Sequence, residues 1–89
     1  MMLACDNGIS MTAIKELQAR GHEVVYWADD EHDEWWFRAA LDAGAEVFIS
    51  HDWDIVLMAD ARYKPRIHMK QGIGGARQAA FILRKLEAL

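Results

Sequence analysis

The sequence predicts a single α/β domain, residues 1–89, built on a small, mostly parallel four-stranded sheet. Three observations carry that expectation. Short apolar runs alternate with amphipathic stretches along the whole chain, which is the pattern of strand–helix units with right-handed crossovers. Most of these segments end in a turn or stop signal. The 89 residues, 53 % of them hydrophobic, suffice for one packed core and not for two.

Residues 2–5 are apolar and stop at Asp6-Asn7-Gly8, so they read as a buried strand followed by a turn. Residues 10–20 read as a helix, with Ser10 placed to cap it, Ile14 and Leu17 on its inner face and Gly21 at its stop. The β-branched and aromatic residues 24–27 form a second strand. After an acidic loop, residues 33–43 give a second helix closed by Gly44. Trp36 and Ala40 share one of its faces and Phe37 and Leu41 the neighbouring one. Residues 46–50, centred on Val47-Phe48-Ile49, are a third strand, and residues 54–61 a short helix. Pro65 suits the first position of a fourth strand, 65–69, where a missing N–H is tolerated. A glycine-rich loop then leads into a last helix at 76–89, with Ala79, Leu83 and Leu86 on one stripe and Ile82 beside it.

Composition narrows the function classes. A net charge of −4 argues against non-specific attraction to nucleic acid, although an acidic site can still meet phosphate through a metal. The single Cys5 excludes an internal disulfide and a multi-cysteine zinc site, and its apolar surroundings make it a buried thiol in a reducing, cytoplasmic setting. The sequence holds no run long enough to span a bilayer and no leader pattern, so no membrane association is expected.

The aspartates are the chemical signal. Parallel sheets bind ligands beyond the carboxyl ends of their strands, where strand order reverses; for the order 2-1-3-4 that place lies between the first and third strands. Asp6 ends the first strand and Asp52 follows the third. Strands about 4.8 Å apart bring such residues within reach of one site. Asp33, at the start of the second helix, emerges on the same rim. Ionised carboxylates gathered there repel one another unless a cation compensates, and Mg2+ or Mn2+ favours oxygen ligands. A competing explanation is purely local: Asp6 before Asn7-Gly8 is also turn chemistry, and Asp54 is also a helix cap.

These residues also carry a family resemblance. Leu3-Ala4-Cys5-Asp6-Asn7-Gly8-Ile9-Ser10 resembles the opening of the short PIN-like proteins, a strand ending in Asp. Gln18-Ala19-Arg20-Gly21-His22-Glu23-Val24-Val25 resembles their Arg-Gly-His-Asp/Glu-Val segment, and the helix from Asp33 to Gly44 one of theirs. Phe48-Ile49-Ser50-His51-Asp52-Trp53-Asp54 matches their strand-Thr/Ser-X-Asp-X-Asp motif. The resemblance spans about residues 2–60. It implies a three-layer α/β/α sandwich of PIN-like type with sheet order 2-1-3-4. It also implies a Mg2+- or Mn2+-dependent ribonuclease acting on RNA, often the toxin of a toxin–antitoxin pair. Asp6, Asp33, Asp52 and Asp54 would then be its catalytic, metal-holding acids. Asn7 stands where many relatives carry Glu, Ile55 where the motif has an aromatic, and the tail from Ile67 to Leu89 departs from the pattern. Those departures raise a second expectation, a non-catalytic PIN-like interaction domain working through a protein partner or a homodimer.

Other residues are less specific. His51, next to Asp52, can position a phosphate or act as an acid, but the usual place for such a residue is facing away from the site. Asp29 or Asp30 is an alternative third acid within the loop 29–34. Trp35 and Trp36 point about 100° apart on a helix, so Trp35 is the one expected at the surface, against a second copy of the chain or a base. The glycines at 72–75 precede a helix but lack a P-loop lysine, and read as a plain loop. Lys and Arg concentrate in the C-terminal third, which suits either an RNA-contacting edge or complementary dimer surfaces.

Overall fold

Among the described residues eight elements follow one another in strict β–α alternation: β1 (Met2–Cys5), α1 (Met11–Ala19), β2 (Glu23–Tyr26), α2 (Asp33–Asp42), β3 (Val47–Ser50), α3 (Trp53–Ala61), β4 (Arg66–His68) and α4 (Gly75–Glu87). The computed structural model describes residues 1–26, 33–70 and 72–89. The strands form one sheet in the order β2-β1-β3-β4, and every neighbouring pair is parallel.

The sheet is buried on both faces, which is why β1 and β3 are uninterrupted apolar runs rather than alternating ones. Leu3, Ala4, Cys5, Phe48 and Ile49 are all fully buried. Side-chain alternation divides them between two cores. Leu3, Cys5, Val47, Ile49, Ile67 and Met69 meet Ile14 and Leu17 of α1 and Ala79 and Ile82 of α4 on one face. Ala4 and Phe48 meet Trp36, Phe37 and Ala40 of α2 and Ile55 and Ala59 of α3 on the other. Phe37 stacks on Phe48 with centroids 4.4 Å apart, and Trp36 meets the same ring edge-on at 6.2 Å.

The helix ends follow the expected chemistry. Ser10 caps α1 through a bond from the Ala13 N–H. Beyond α1, Gly21 sits at φ +92° while its N–H bonds the Gln18 carbonyl and the His22 N–H bonds that of Leu17; Gly44 repeats this at φ +89° beyond α2. Both are left-handed stops that glycine reaches without a Cβ clash. α3 ends in the same pair of bonds, from Tyr63 to Asp60 and from Lys64 to Ala59, but a tyrosine occupies the left-handed position at φ +56°. No glycine marks that stop in the sequence.

Element boundaries differ from expectation in several places. β2 starts at Glu23, and Trp27 lies outside the described residues. β3 starts at Val47; Glu46 instead tacks onto β1, its N–H bonding the Met2 carbonyl and its carboxylate the Met2 N–H, each at 2.9 Å. β4 is confined to Arg66–His68, with Pro65 just ahead of it. α3 starts at Trp53, with Asp52 rather than Asp54 as its cap. On α4 the fully covered stripe is Gln78, Ala79 and Ile82, while Leu83 and Leu86 are only partly buried. Gln78 is a buried amide that ties two segments together. Its Oε1 accepts the Ser10 N–H at 2.9 Å and its Nε2 donates to the Ile73 carbonyl at 3.2 Å. These bonds lock the start of α4 to the start of α1, where a Cβ on Gly75 would come within 2.7 Å of the Ser10 hydroxyl.

Among the described residues no helix is long and apolar enough to cross a membrane.

Candidate functional site

Strand order reverses between β1 and β3, and the chain leaves both strands there in polar segments. Asp6 is the first residue past β1. Its Oδ1 accepts the Gly8 N–H at 3.0 Å, and its carbonyl accepts the Ile9 N–H at 3.2 Å, closing the Asp6-Asn7-Gly8 turn. Its Oδ2 accepts the hydroxyl of Ser50, the last residue of β3. Ser50 is fully buried, and its Oγ in turn accepts the Asp52 N–H at 2.9 Å. One hydroxyl therefore joins the Asp6 carboxylate to the backbone of Asp52. The motif pattern marks a Ser or Thr at this position; sequence reading missed that its side chain is the link between the two acids.

Asp52 turns its Oδ1 to the Asp54 N–H at 2.8 Å, capping α3. Its Oδ2 has no hydrogen-bond partner among the described residues. Asp54 is exposed in the first turn of α3, where a negative charge complements the helix dipole. Asp33 opens α2, the element that follows the edge strand β2. The Asp33 side chain, like the alternatives Asp29 and Asp30, lies outside what is described. Asp6 and Asp52 are thus brought to one junction, with Asp54 one helical step away. Among the described residues no group of three or more His, Cys, Asp and Glu side chains is close enough to hold a metal together.

A carboxylate offers about four lone-pair sites, so each Asp6 oxygen keeps acceptor capacity after its one internal bond. Asp52 likewise keeps a free carboxylate oxygen, and carboxylate oxygens are hard donors of the kind Mg2+ and Mn2+ accept. Cys5 next to it is not a ligand candidate. Burial first, and then the Asp6 charge, push its thiol up to about 12, which keeps it protonated at neutral pH.

His51 departs from the expectation that it faces away. A Cβ on Gly8 would lie 2.9 Å from His51 Nδ1 and 3.3 Å from Asp6 Oδ1, so the imidazole packs onto the Asp6–Gly8 turn, in space that only glycine leaves open. The His51 carbonyl accepts a bond from His68 Nε2 at 2.9 Å. The His68 ring in turn lies against the Trp53 indole, with centroids 3.9 Å apart and planes inclined by 31°. This contact joins residues from β4 and α3, and no local spacing in the sequence announces it.

The remaining candidates lie elsewhere. Trp35 is 51 % exposed and Trp36 is buried, in the expected division of roles. Of the C-terminal cations, Arg62 covers the Phe37 ring at 5.0 Å, Arg66 pairs with Asp60 at 3.0 Å, and Lys85 covers Phe81 at 5.5 Å. Cavities among the described residues include one of about 300 Å³ between α2 and α3 and one of about 370 Å³ between α1 and α4. Neither is lined by Asp6 or Asp52.

Together these features define a class: a parallel α/β domain with an oxygen-rich junction at its strand-order switch point. No protein-family model, no curated protein and no solved structure matches the chain.

Proposed function

We propose that the β1–β3 junction holds a divalent cation, Mg2+ or Mn2+, and that the domain is a PIN-like endoribonuclease. The observation that carries the reading is the Asp6–Ser50–Asp52 link at the switch point, with acceptor capacity left on both acids. Asp6 and Asp52 are the principal ligands, and Asp33 and Asp54 complete the acidic set. When bound, the cation supplies an activated water and stabilises charge on a phosphodiester. The chain contributes position. Ser50 and the Gly8 N–H hold the Asp6 carboxylate in one orientation, and the α3 cap holds that of Asp52. His51, against the same turn, is poised to orient a phosphate oxygen. The partners that follow are RNA as substrate, an antitoxin protein, and a second copy of the chain covering Trp35.

The test is cleavage of structured and single-stranded RNA by purified protein with Mn2+, with EDTA and with Asp52→Asn. Activity that requires Mn2+ and falls at least tenfold in the variant supports the reading. Activity indifferent to both contradicts it.

One observation favours a second reading. Asp6 and Asp52 each have a local role, closing a turn and capping a helix, which they would keep in a non-catalytic PIN-like interaction domain. A stable complex with a protein partner, formed by a chain with no affinity for Mn2+, would favour that alternative.

A further inference from the structure

We infer that Trp53 is a stacking platform for an unpaired nucleobase of the RNA strand that enters the acidic junction. The inference rests on the ribonuclease reading above and specifies how the substrate is held.

Trp53 is the first residue of α3, between the cap Asp52 and Asp54, so its position is fixed to the acids by the start of one helix. It is 57 % exposed, more than any other tryptophan among the described residues. Exposure alone says little about a surface aromatic. What distinguishes this one is that a single face is already occupied. The His68 ring lies against the indole at 3.9 Å, and His68 is itself tethered through Nε2 to the His51 carbonyl. β4 is anchored at the same level by the Met69 N–H bond to the Ser50 carbonyl at 2.8 Å. The indole is therefore held rigidly from behind while much of its surface faces solvent at the rim.

A rigid aromatic with an open face gains stacking energy without first losing rotamer freedom, and every base presents a π-face to it. A base is favoured over an apolar protein surface by the surroundings. The indole sits between the carboxylate residues Asp52 and Asp54 in the chain and against the His68 imidazole, and the exposed Lys70 follows His68 by two residues. A hydrophobic partner would have to desolvate Asp52 and Asp54 to reach the ring.

The test is fluorescence anisotropy with a labelled short single-stranded RNA and a matched abasic strand, each titrated with the protein in Mn2+ and again in EDTA. The wild type is expected to bind the base-containing strand more tightly than the abasic one. Trp53→Ala is expected to weaken the former about tenfold and leave the latter unchanged, with Trp53→Phe restoring most of the difference. Equal binding of both strands by wild type and Trp53→Ala would overturn the inference, as would no binding of either strand in either buffer. So would a Trp53→Ala effect confined to oligomeric state. The two readings fail separately. Base-dependent binding that needs Trp53, without Mn2+-dependent cleavage, keeps the platform and defeats the nuclease. Cleavage with no Trp53 dependence of binding does the reverse.

Discussion

Ser50→Ala is the most informative single change, because one buried hydroxyl serves both acids. Its Oγ donates to the Asp6 carboxylate and accepts the Asp52 N–H, and the side chain is fully buried. Alanine fills nearly the same space, so packing loss is small and the change isolates the polar terms. A hydrogen bond to a charged group contributes about 1.5–3 kcal/mol and a neutral one about 1 kcal/mol. Both bonds are only part-buried, so water recovers some of this, and the expected loss is about 3 kcal/mol. For a domain of this size that lowers Tm by roughly 12–24 °C. Urea titrations of wild type, Ser50→Ala, Asp6→Asn and the double variant would measure it. The two single changes should be non-additive, since both act on the same hydrogen bond. A loss under about 0.5 kcal/mol, the range of an ordinary surface substitution, would refute the idea that this hydroxyl joins the two strand ends.

Two further predictions concern other parts of the molecule. Burial pushes the Cys5 thiol from 9.0 up to about 12 on folding, so between those values the unfolded chain loses its proton first and stability falls as pH rises. From pH 8 to pH 10 the thiol should contribute about 1.4 kcal/mol of that decline, measured as the difference between the urea stabilities of wild type and Cys5→Ala; parallel curves would contradict it. Tyr63 holds a left-handed conformation at φ +56° with 95 % of its surface exposed, so Tyr63→Gly removes backbone strain and almost no packing. It should raise stability by about 1 kcal/mol in thermal melts, whereas destabilisation would mean that the side chain makes a contact in solution.

Much of this architecture is legible in the residues. Strands buried on both faces leave apolar runs, and the stops at Gly21 and Gly44 and the cap at Ser10 are local signals that the fold obeys. What escaped depends on partners distant in sequence. Asp54 reads as the cap of α3 in the sequence, yet Asp52 takes the role while its own N–H is anchored to Ser50. The burial of Gln78 beside the α4 stripe depends on Ser10 and Ile73 satisfying its amide. The left-handed Tyr63 carries no stop signal, and the Trp53–His68 pair requires knowing that α3 begins beside the end of β4. In the candidate site, Asp6 and Asp52 were legible from the topology, since the switch point follows from strand order. The role of Ser50 as their link and the inward lie of His51 were not, because both depend on contacts across the β1–β3 boundary.

The proposed metal site is tested most directly by isothermal titration of Mn2+ and Mg2+ into the wild type, Asp6→Asn and Asp52→Asn, with circular dichroism verifying that each variant is folded. The expected result is one saturable site in the wild type, weakened at least tenfold by either substitution in a chain that remains folded. No binding to the wild type, or equal binding to all three proteins, would contradict a metal centre at the β1–β3 junction.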